Sequence, residues 1–190
     1  MRSLLSLAAA LATAAVLSTS APAQAATAAA ADDLCQPPSP AAAGADYFLK
    51  LDGIPGESKD AQHRDEIEIP SWSLQDTAGC GPVASFRKLF DRSSPLLFKA
   101  ATAGAHIPTA VLTGRKAGER PHEFTRFEFK DIVISSFQTG TTATAGDVLP
   151  MDSFSINYAQ VRMVYIPQNA DGTAGTPVET CWDAKAKRGC

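Results

Sequence analysis

The sequence predicts a mainly β fold, a β-barrel or β-sandwich accompanied by one α-helix. Many short runs alternate between apolar and polar side chains, which is the period of a β-strand, and turn-forming residues separate most of these runs. Only the segment "DRSSPLLFKAATAGAHI" has the period and the end signals of a helix. Many short strands combined with a single helix are typical of barrels and sandwiches.

The N-terminal region is predicted to lie outside this fold. Arg2, the apolar run 4–17 and the segment "APAQA" together have the pattern of a secretory signal peptide over residues 1–25, with cleavage between Ala25 and Ala26. The apolar run is shorter than the roughly 20 residues that span a bilayer, so no stable membrane insertion is expected. Residues 26–45 are rich in Ala and Pro and are interpreted as a linker. One domain, 46–190, is therefore expected in the periplasm or outside the cell.

The first part of this domain contains three predicted strands. The segment "DYFLKL" alternates from Asp46 onward, and "GIPGES" then interrupts the pattern. In "DEIEIPSWSL", Ile67 and Ile69 are expected to enter the core while Glu66 and Glu68 face solvent. Pro70 indicates a sheet edge or a bulge. The third strand is "VASFRKLF", which follows a Gly-Cys-Gly-Pro turn.

One helix of about ten residues follows these strands. Ser94 is the expected N-cap, Pro95 occupies the first helical position, and Gly104 ends the helix. Leu96, Leu97 and Ala100 are expected to form its apolar face.

The strands resume after the helix. The runs "TAVLTGRKAG" and "HEFTRFEFKDIVISSFQ" are separated by turn residues and are predicted to pair antiparallel. After a Gly/Thr/Ala-rich loop, the run 153–165 changes its hydrophobic face in the middle, which predicts either a bulge or apolar contacts on both faces. The segment "PVETCWD" is predicted to be the last short strand.

The acidic stretch 51–73 contains the best candidates for a metal or general-base site. His63 lies there with Asp60, Asp65 and Glu66. No second histidine is near, and the stretch lacks the spacing of a calcium-binding loop, so a solvated loop and strand face is the favoured interpretation. One hypothesis for the function is therefore a secreted hydrolase that uses this cluster, although only the composition of the stretch supports it. No catalytic, cofactor-binding or metal-binding residue is assigned.

Charge and cysteine content narrow the function classes. The whole chain has a formal net charge of −3, which argues against nucleic acid as a partner. Behind a signal peptide, the four cysteines Cys35, Cys80, Cys181 and Cys190 are disulfide candidates. Three pairings are possible, and the favoured one joins Cys181 to Cys190 and Cys35 to Cys80, because the first pair closes a short terminal loop. Their spacing does not favour a zinc site.

Five segments, taken in order, closely resemble the haemolysin-coregulated protein (Hcp) family, the tube proteins of type VI secretion. These segments are "FLKLDGIPGESKDAQHRDEIEIPSWS", "DRSSPLLFKAATAGAHIPTAVLTGRKAG", "FEFKDIVISSFQTG", "SFSINYAQVRMVYIPQNADGTAG" and "CWDAKAKRG". The resemblance implies a two-sheet antiparallel β-barrel with one flanking α-helix, similar to a phage tail tube. It also implies a homohexameric ring that stacks into a tube, with secretion-apparatus or effector proteins as further partners. No enzymatic activity and no cofactor come with this resemblance.

Two features depart from the family pattern. The family usually carries a long Gly-rich extension after the strand that contains Trp72, whereas only "SLQDTAGCGPVASF" follows here. The signal peptide is also unexpected, because family members are assembled from the cytoplasm. The leading hypothesis is therefore a non-enzymatic, ring-forming Hcp-like protein that is exported and stabilised by disulfides. The alternative is a secreted, monomeric Hcp-like binding module or effector that no longer forms tubes.

Overall fold

The computed structural model describes residues 44–77, 81–116, 121–141 and 150–190. These residues form nine β-strands and one α-helix. The strands are β1 (Ala45–Leu51), β2 (Ile67–Glu68), β3 (Ser71–Thr77), β4 (Gly81–Leu89), β5 (His106–Lys116), β6 (His122–Gly140), β7 (Met151–Tyr165), β8 (Val178–Asp183) and β9 (Arg188–Gly189). The helix α1 (Ser93–Ala103) lies between β4 and β5. Three predicted turn and loop segments, around 78–80, 117–120 and 142–149, lie wholly or largely outside the described residues.

All strand pairs are antiparallel, in the order β2-β1-β5-β6-β7-β4-β3. The strand β8 pairs with β7 and with β9 outside this order. The predicted antiparallel pair on either side of the 117–120 segment is confirmed. Its strands are β5 and β6, which are paired from His106↔Val133 to Lys116↔His122.

The strand β7 changes its partner on one side along its length. On one side β6 pairs with it from Met151 to Tyr165. On the other side its first half pairs with β4, as far as Asn157, and its second half pairs with β8 from Gln160 onward. The predicted change of hydrophobic face falls at this exchange of partners, where Tyr158, Ala159 and Val161 are all buried. The register against β6 shifts once within the run, between Ile134 and Ser136 opposite Ile156 and Ser155, so both a bulge and, at Tyr158 and Ala159, buried side chains on both faces are present.

The two ends of the sheet approach each other through side chains around one core. Trp72 of β3 packs edge-on against Tyr47 of β1 and Phe127 of β6, with ring centroids 5.6 and 4.8 Å apart. The Ile69 N–H donates a hydrogen bond to the Tyr47 carbonyl at 2.9 Å, which holds the segment between β2 and β3 against β1. The interior contains Leu49, Ile67, Phe86, Leu97, Leu112, Phe129, Ile132, Phe154 and Ile156.

Pro70 divides the second predicted strand into two. As expected, Ile67 and Ile69 are buried, with 0% and 2% of their surfaces exposed, and Glu68 is exposed. The part before Pro70 pairs with β1 and the part after it pairs with β4. Because proline cannot donate to a strand ladder, the chain changes partner there and forms the two edge strands of the sheet.

The helix begins earlier than the sequence predicts. Its N-cap is Arg92, which makes no side-chain cap, so the assignment of Ser94 as N-cap and Pro95 as first helical residue was wrong. Asp91 instead accepts hydrogen bonds from the Ser93 N–H and hydroxyl. Of the expected apolar face, Leu97 is fully buried but Leu96 is exposed. The stop at Gly104 is confirmed, with a left-handed φ of 57°.

The chain ends in a hairpin that the sequence only half predicts. The segment "PVETCWD" forms β8, and a turn over 184–187 leads into β9, which was missed. Trp182 and Asp183 pair with Gly189 and Arg188. Among the described residues, no helix is both long and apolar enough to cross a membrane.

Candidate functional site

The acidic stretch between β1 and β3 is an ordered loop whose histidine is buried. His63 is only 6% exposed and stacks on the Phe48 ring at 4.3 Å. Its Nδ1 lies 2.9 Å from a Glu66 carboxylate oxygen. The interpretation of this histidine as part of a solvated face was therefore wrong. The local sequence does not reveal its burial, because Phe48, which covers the imidazole ring, belongs to β1. No group of three or more His, Cys, Asp or Glu side chains suited to a metal ion occurs within the described residues.

Arg115 ties this loop to the sheet. It lies near the end of β5, where it donates a hydrogen bond to Asp60 at 2.7 Å, and its guanidinium lies 5.0 Å from the centre of the Phe48 ring. The backbone N–H groups of Gln62 and His63 also donate to Asp60. These donors, Arg115 foremost, hold the pKa of the Asp60 carboxyl well below its usual range.

Gly56 lets two segments of the loop, 56–58 and 65–66, lie with their backbones in close contact. A Cβ atom at this position would lie 2.3 Å from the Glu66 carbonyl oxygen. The Gly56 N–H donates to the Asp65 carbonyl at 2.8 Å, and the Ser58 N–H donates to the Glu66 carbonyl. Only glycine fits so close a backbone approach, which accounts for "GES" in physical terms.

A buried ionic cluster joins β4, β7 and α1. Lys88 and Asp152 are 1% and 0% exposed, and their charged groups lie 2.9 Å apart. The Lys88 ammonium also contacts Asp91 at 2.8 Å and donates to the Ser94 hydroxyl at 2.9 Å. Ser94, expected to be a cap, instead donates its hydroxyl to Asp152. The cluster fixes the start of α1 against the barrel.

Beside this cluster lies an open cleft of about 830 Å³, named here the acidic cleft. It is bordered by the start of β1, the 57–60 segment, the 68–70 segment and the 89–91 segment. Leu89 and Phe90 contribute exposed apolar surface, with exposed fractions of 49% and 52%. Its charged residues are Asp46, Glu57, Lys59, Asp60, Glu68, Asp91 and Arg115.

The second notable surface is the terminal hairpin, defined as residues 178–190. A disulfide joins Cys181 to Cys190, which is the favoured pairing for these two residues. Lys185 pairs with Asp131 of β6 at 2.5 Å. The Ala186 N–H and the Gln160 side chain both donate to Asp183 and hold the pKa of its carboxyl below the usual value. The other predicted functional positions, Ala25, Ala26, Cys35 and Cys80, lie outside the described residues.

Comparison with known proteins identifies the family. The family model described as "Type VI secretion system effector, Hcp" matches residues 48–165. "Protein hcp1" of Pseudomonas aeruginosa is 36% identical over 156 residues, which cover 74% of this chain and 95% of that protein. The crystal structure of Hcp1 from Salmonella typhimurium has 32% identity and a TM-score of 0.70, and it covers 77% of this chain and 99% of the other.

A further solved structure has the same architecture. Hcp2 from Salmonella typhimurium is 32% identical, with a TM-score of 0.63, over 75% of this chain and 98% of that one. The predicted two-sheet antiparallel barrel with one flanking helix is confirmed by these structures and by the strand order described above. This chain therefore belongs to the Hcp family of type VI secretion proteins.

Proposed function

We propose that this protein is a non-enzymatic structural protein that resembles the type VI secretion tube protein and assembles into hexameric rings. The observation that carries the proposal is the family match over residues 48–165, which extends from β1 to the end of β7. Secretion-apparatus or effector proteins are proposed as further partners, and no nucleic acid.

The ionisable groups of the acidic loop and of the buried ionic cluster support a structural role. His63 is covered by Phe48, Asp60 is held by Arg115, and Lys88 is enclosed with Asp152. Each of these groups connects different elements of the barrel, so their paired state stabilises the fold. We propose no catalytic residue and no cofactor.

We propose in addition that the protein is exported, as a secreted or periplasmic domain of residues 46–190 behind a linker of residues 26–45. The Cys181–Cys190 disulfide supports this location, because disulfides persist in oxidising compartments. Intact mass measurement of the exported protein should give a chain that begins at Ala26. A chain that retains residues 1–25 would contradict this part of the proposal.

The alternative, a secreted monomeric binding module or effector, is favoured by one feature. The pairing of β3 with β4 continues to Thr77↔Gly81, so only residues 78–80 connect the two strands. A connection of this length leaves no room for the long extension that the family usually carries there.

Light scattering on the mature, oxidised protein tests the two functions directly. A hexamer-sized species with ring projections in negative-stain micrographs is expected for the tube subunit. A monomer over a wide range of protein concentration would overturn ring formation and support the binding module.

A further inference from the structure

One corner of the sheet is uncovered on the face that elsewhere forms the core. Across β7 and β8, Tyr165 lies in register with Val178, and Val161 with Trp182. Residues directly opposite each other on antiparallel strands share a face, and so do residues two apart on one strand. Because Val161 is buried in the core, Tyr165, Val178 and Trp182 all project from the core face. They are nevertheless exposed, by 53%, 67% and 39%, and are named here the apolar corner.

The strand β3 crosses this face but does not reach the apolar corner. Trp72, near the start of β3, packs on Tyr47 and Phe127. Burial, and then the charge of Asp76 near the other end of β3, raises the pKa of Tyr158 on β7 to about 12. Within the described part of the chain, residues 72–77 of β3 pair only with β4, which follows the first half of β7. The unpaired edge of 72–77 therefore faces the second half of β7, where the apolar corner lies.

The chain enters the described structure beside the start of β3. Ala45, the first residue of β1, borders the same cleft as Pro70, which directly precedes β3. Gly44 has a φ of 134°, a backbone conformation that only glycine adopts readily, so the chain is able to turn away from β1 at this residue. The segment before Gly44 can thus run antiparallel to β3, along its unpaired edge and across the apolar corner.

The segment before Gly44 has a suitable length and composition. The N-terminal arm, defined as residues 26–43, ends in ten residues without a charged side chain, "LCQPPSPAAA". In the pairing order, β1 and β8 are separated by four strand spacings, or about 19 Å, and eight extended residues span about 26 Å. Proline-rich segments adopt an extended conformation and dock on aromatic side chains, which Tyr165 and Trp182 provide. The family match begins at residue 48, so the arm lies outside the family pattern.

We propose that residues 34–43 of the N-terminal arm lie along the unpaired edge of β3 and cover the apolar corner of the same chain. This path agrees with the favoured cysteine pairing, because Cys35 is 44 − 35 = 9 residues before Gly44 and Cys80 is 80 − 71 = 9 residues after Ser71. Two extended segments of equal length that start together and run side by side also end together. The inference does not depend on ring formation, so it and the proposed assembly succeed or fail separately.

Limited proteolysis of the mature, oxidised protein measures whether the arm is held. Elastase cleaves after small residues such as the alanines at 41–43, and a held arm is cut only while it is open, so the cleavage rate follows the open population. Val178→Asp places a charge in the apolar corner, whereas Leu96→Asp places one at an exposed position on α1 and is the matched control. Loss of the arm, read from the intact mass, should be at least about tenfold faster in Val178→Asp than in the unmodified protein and in the control. Matched urea unfolding curves establish that all three proteins are folded.

Oxidation footprinting of the whole mature chain examines the same contact from the side of the arm. Hydroxyl radicals oxidise accessible Tyr and Trp side chains, and mass spectrometry locates the products. Pro38→Asp with Pro40→Asp adds two charges to the covering segment. We expect the oxidation rates of Tyr165 and Trp182 to rise at least about threefold in this variant, because covered side chains react only while the arm is open.

The matched control in the arm is Ala28→Asp with Ala30→Asp, which adds the same charges outside residues 34–43 and should leave both oxidation rates unchanged. Equally fast loss of the arm in the unmodified protein and in Val178→Asp would overturn the proposal. Equal oxidation in the two arm variants would overturn it as well. Both measurements are repeated over a range of protein concentration, and protection of the apolar corner that appears only at high concentration would assign it to a second copy and overturn the proposal.

Discussion

Replacing Lys88 by methionine should destabilise the fold strongly. The substitution keeps a long, flexible side chain but removes the ammonium that contacts Asp152 at 2.9 Å and Asp91 at 2.8 Å. Asp152 has no exposed surface, and among the described residues its Oδ1 atom has no hydrogen-bond partner, so only the Ser94 hydroxyl on Oδ2 would remain. Removing one member of a buried ion pair costs about 3–5 kcal/mol, because the other charge stays buried without compensation.

The assay is urea unfolding at neutral pH, followed by the fluorescence of Trp72 and Trp182. Protein concentration must be equal for all variants, since assembly itself adds apparent stability. The double variant Lys88→Met with Asp152→Leu removes both charges and should recover most of the loss. Lys99→Met, on the exposed side of α1, is the matched control and should change stability by no more than about 0.5 kcal/mol. A loss below about 1 kcal/mol in the single variant, or no recovery in the double variant, would refute the reasoning.

Three further predictions concern the disulfide, Asp60 and Gly56. Cys181→Ser with Cys190→Ser opens a loop with a sequence separation of 9 and should cost about 2.5 kcal/mol by the chain-entropy relation; an unchanged unfolding midpoint in urea would contradict it. The pKa of Asp60 is lowered by Arg115, so its stabilisation is present above the ordinary carboxyl pKa and is lost as pH falls through the lowered value. Asp60→Asn should thus flatten the loss of stability on acidification, measured by urea unfolding from about pH 6 to pH 2; an equally steep loss would refute this. Gly56→Ala places a Cβ 2.3 Å from a backbone oxygen and should cost about 2 kcal/mol or more in thermal or urea unfolding, whereas Gly140→Ala, with no atom within 4 Å, should be almost neutral.

The parts of the fold that depend on local pattern could be predicted from the sequence. Alternation located most of the strands, placed Ile67 and Ile69 in the core, and Gly104 marked the end of the helix. The two-residue strand β9 is too short to show any period, so only its pairing with β8 reveals it.

The ionic and aromatic contacts of the loop and helix depend on residues far apart in the chain. His63 is buried because Phe48 covers it, and Asp60 meets Arg115 across 55 positions of sequence. The helix start was misplaced because the serines of "DRSSP" satisfy the local rule for an N-cap, whereas Arg92 takes that position and the Ser94 hydroxyl donates to Asp152, far away in the sequence. One signal was overlooked: Lys88 alternates with Phe86 on the inward face of β4, so its burial follows from strand period.

The shared position of β7 affects the order in which the chain must fold. The strand β4 can form its hairpin with β3 at once, but its other neighbour begins at Met151, more than sixty positions later in the chain. Until that segment is available, Ala84 and Phe86 remain uncovered, and β4, β6 and β8 all lack the strand with which they pair. Non-local pairing of this kind slows folding and prolongs the lifetime of intermediates whose exposed apolar surface makes them prone to aggregate. A chain of this topology is thus a natural client for folding helpers that bind unfinished β-sheets.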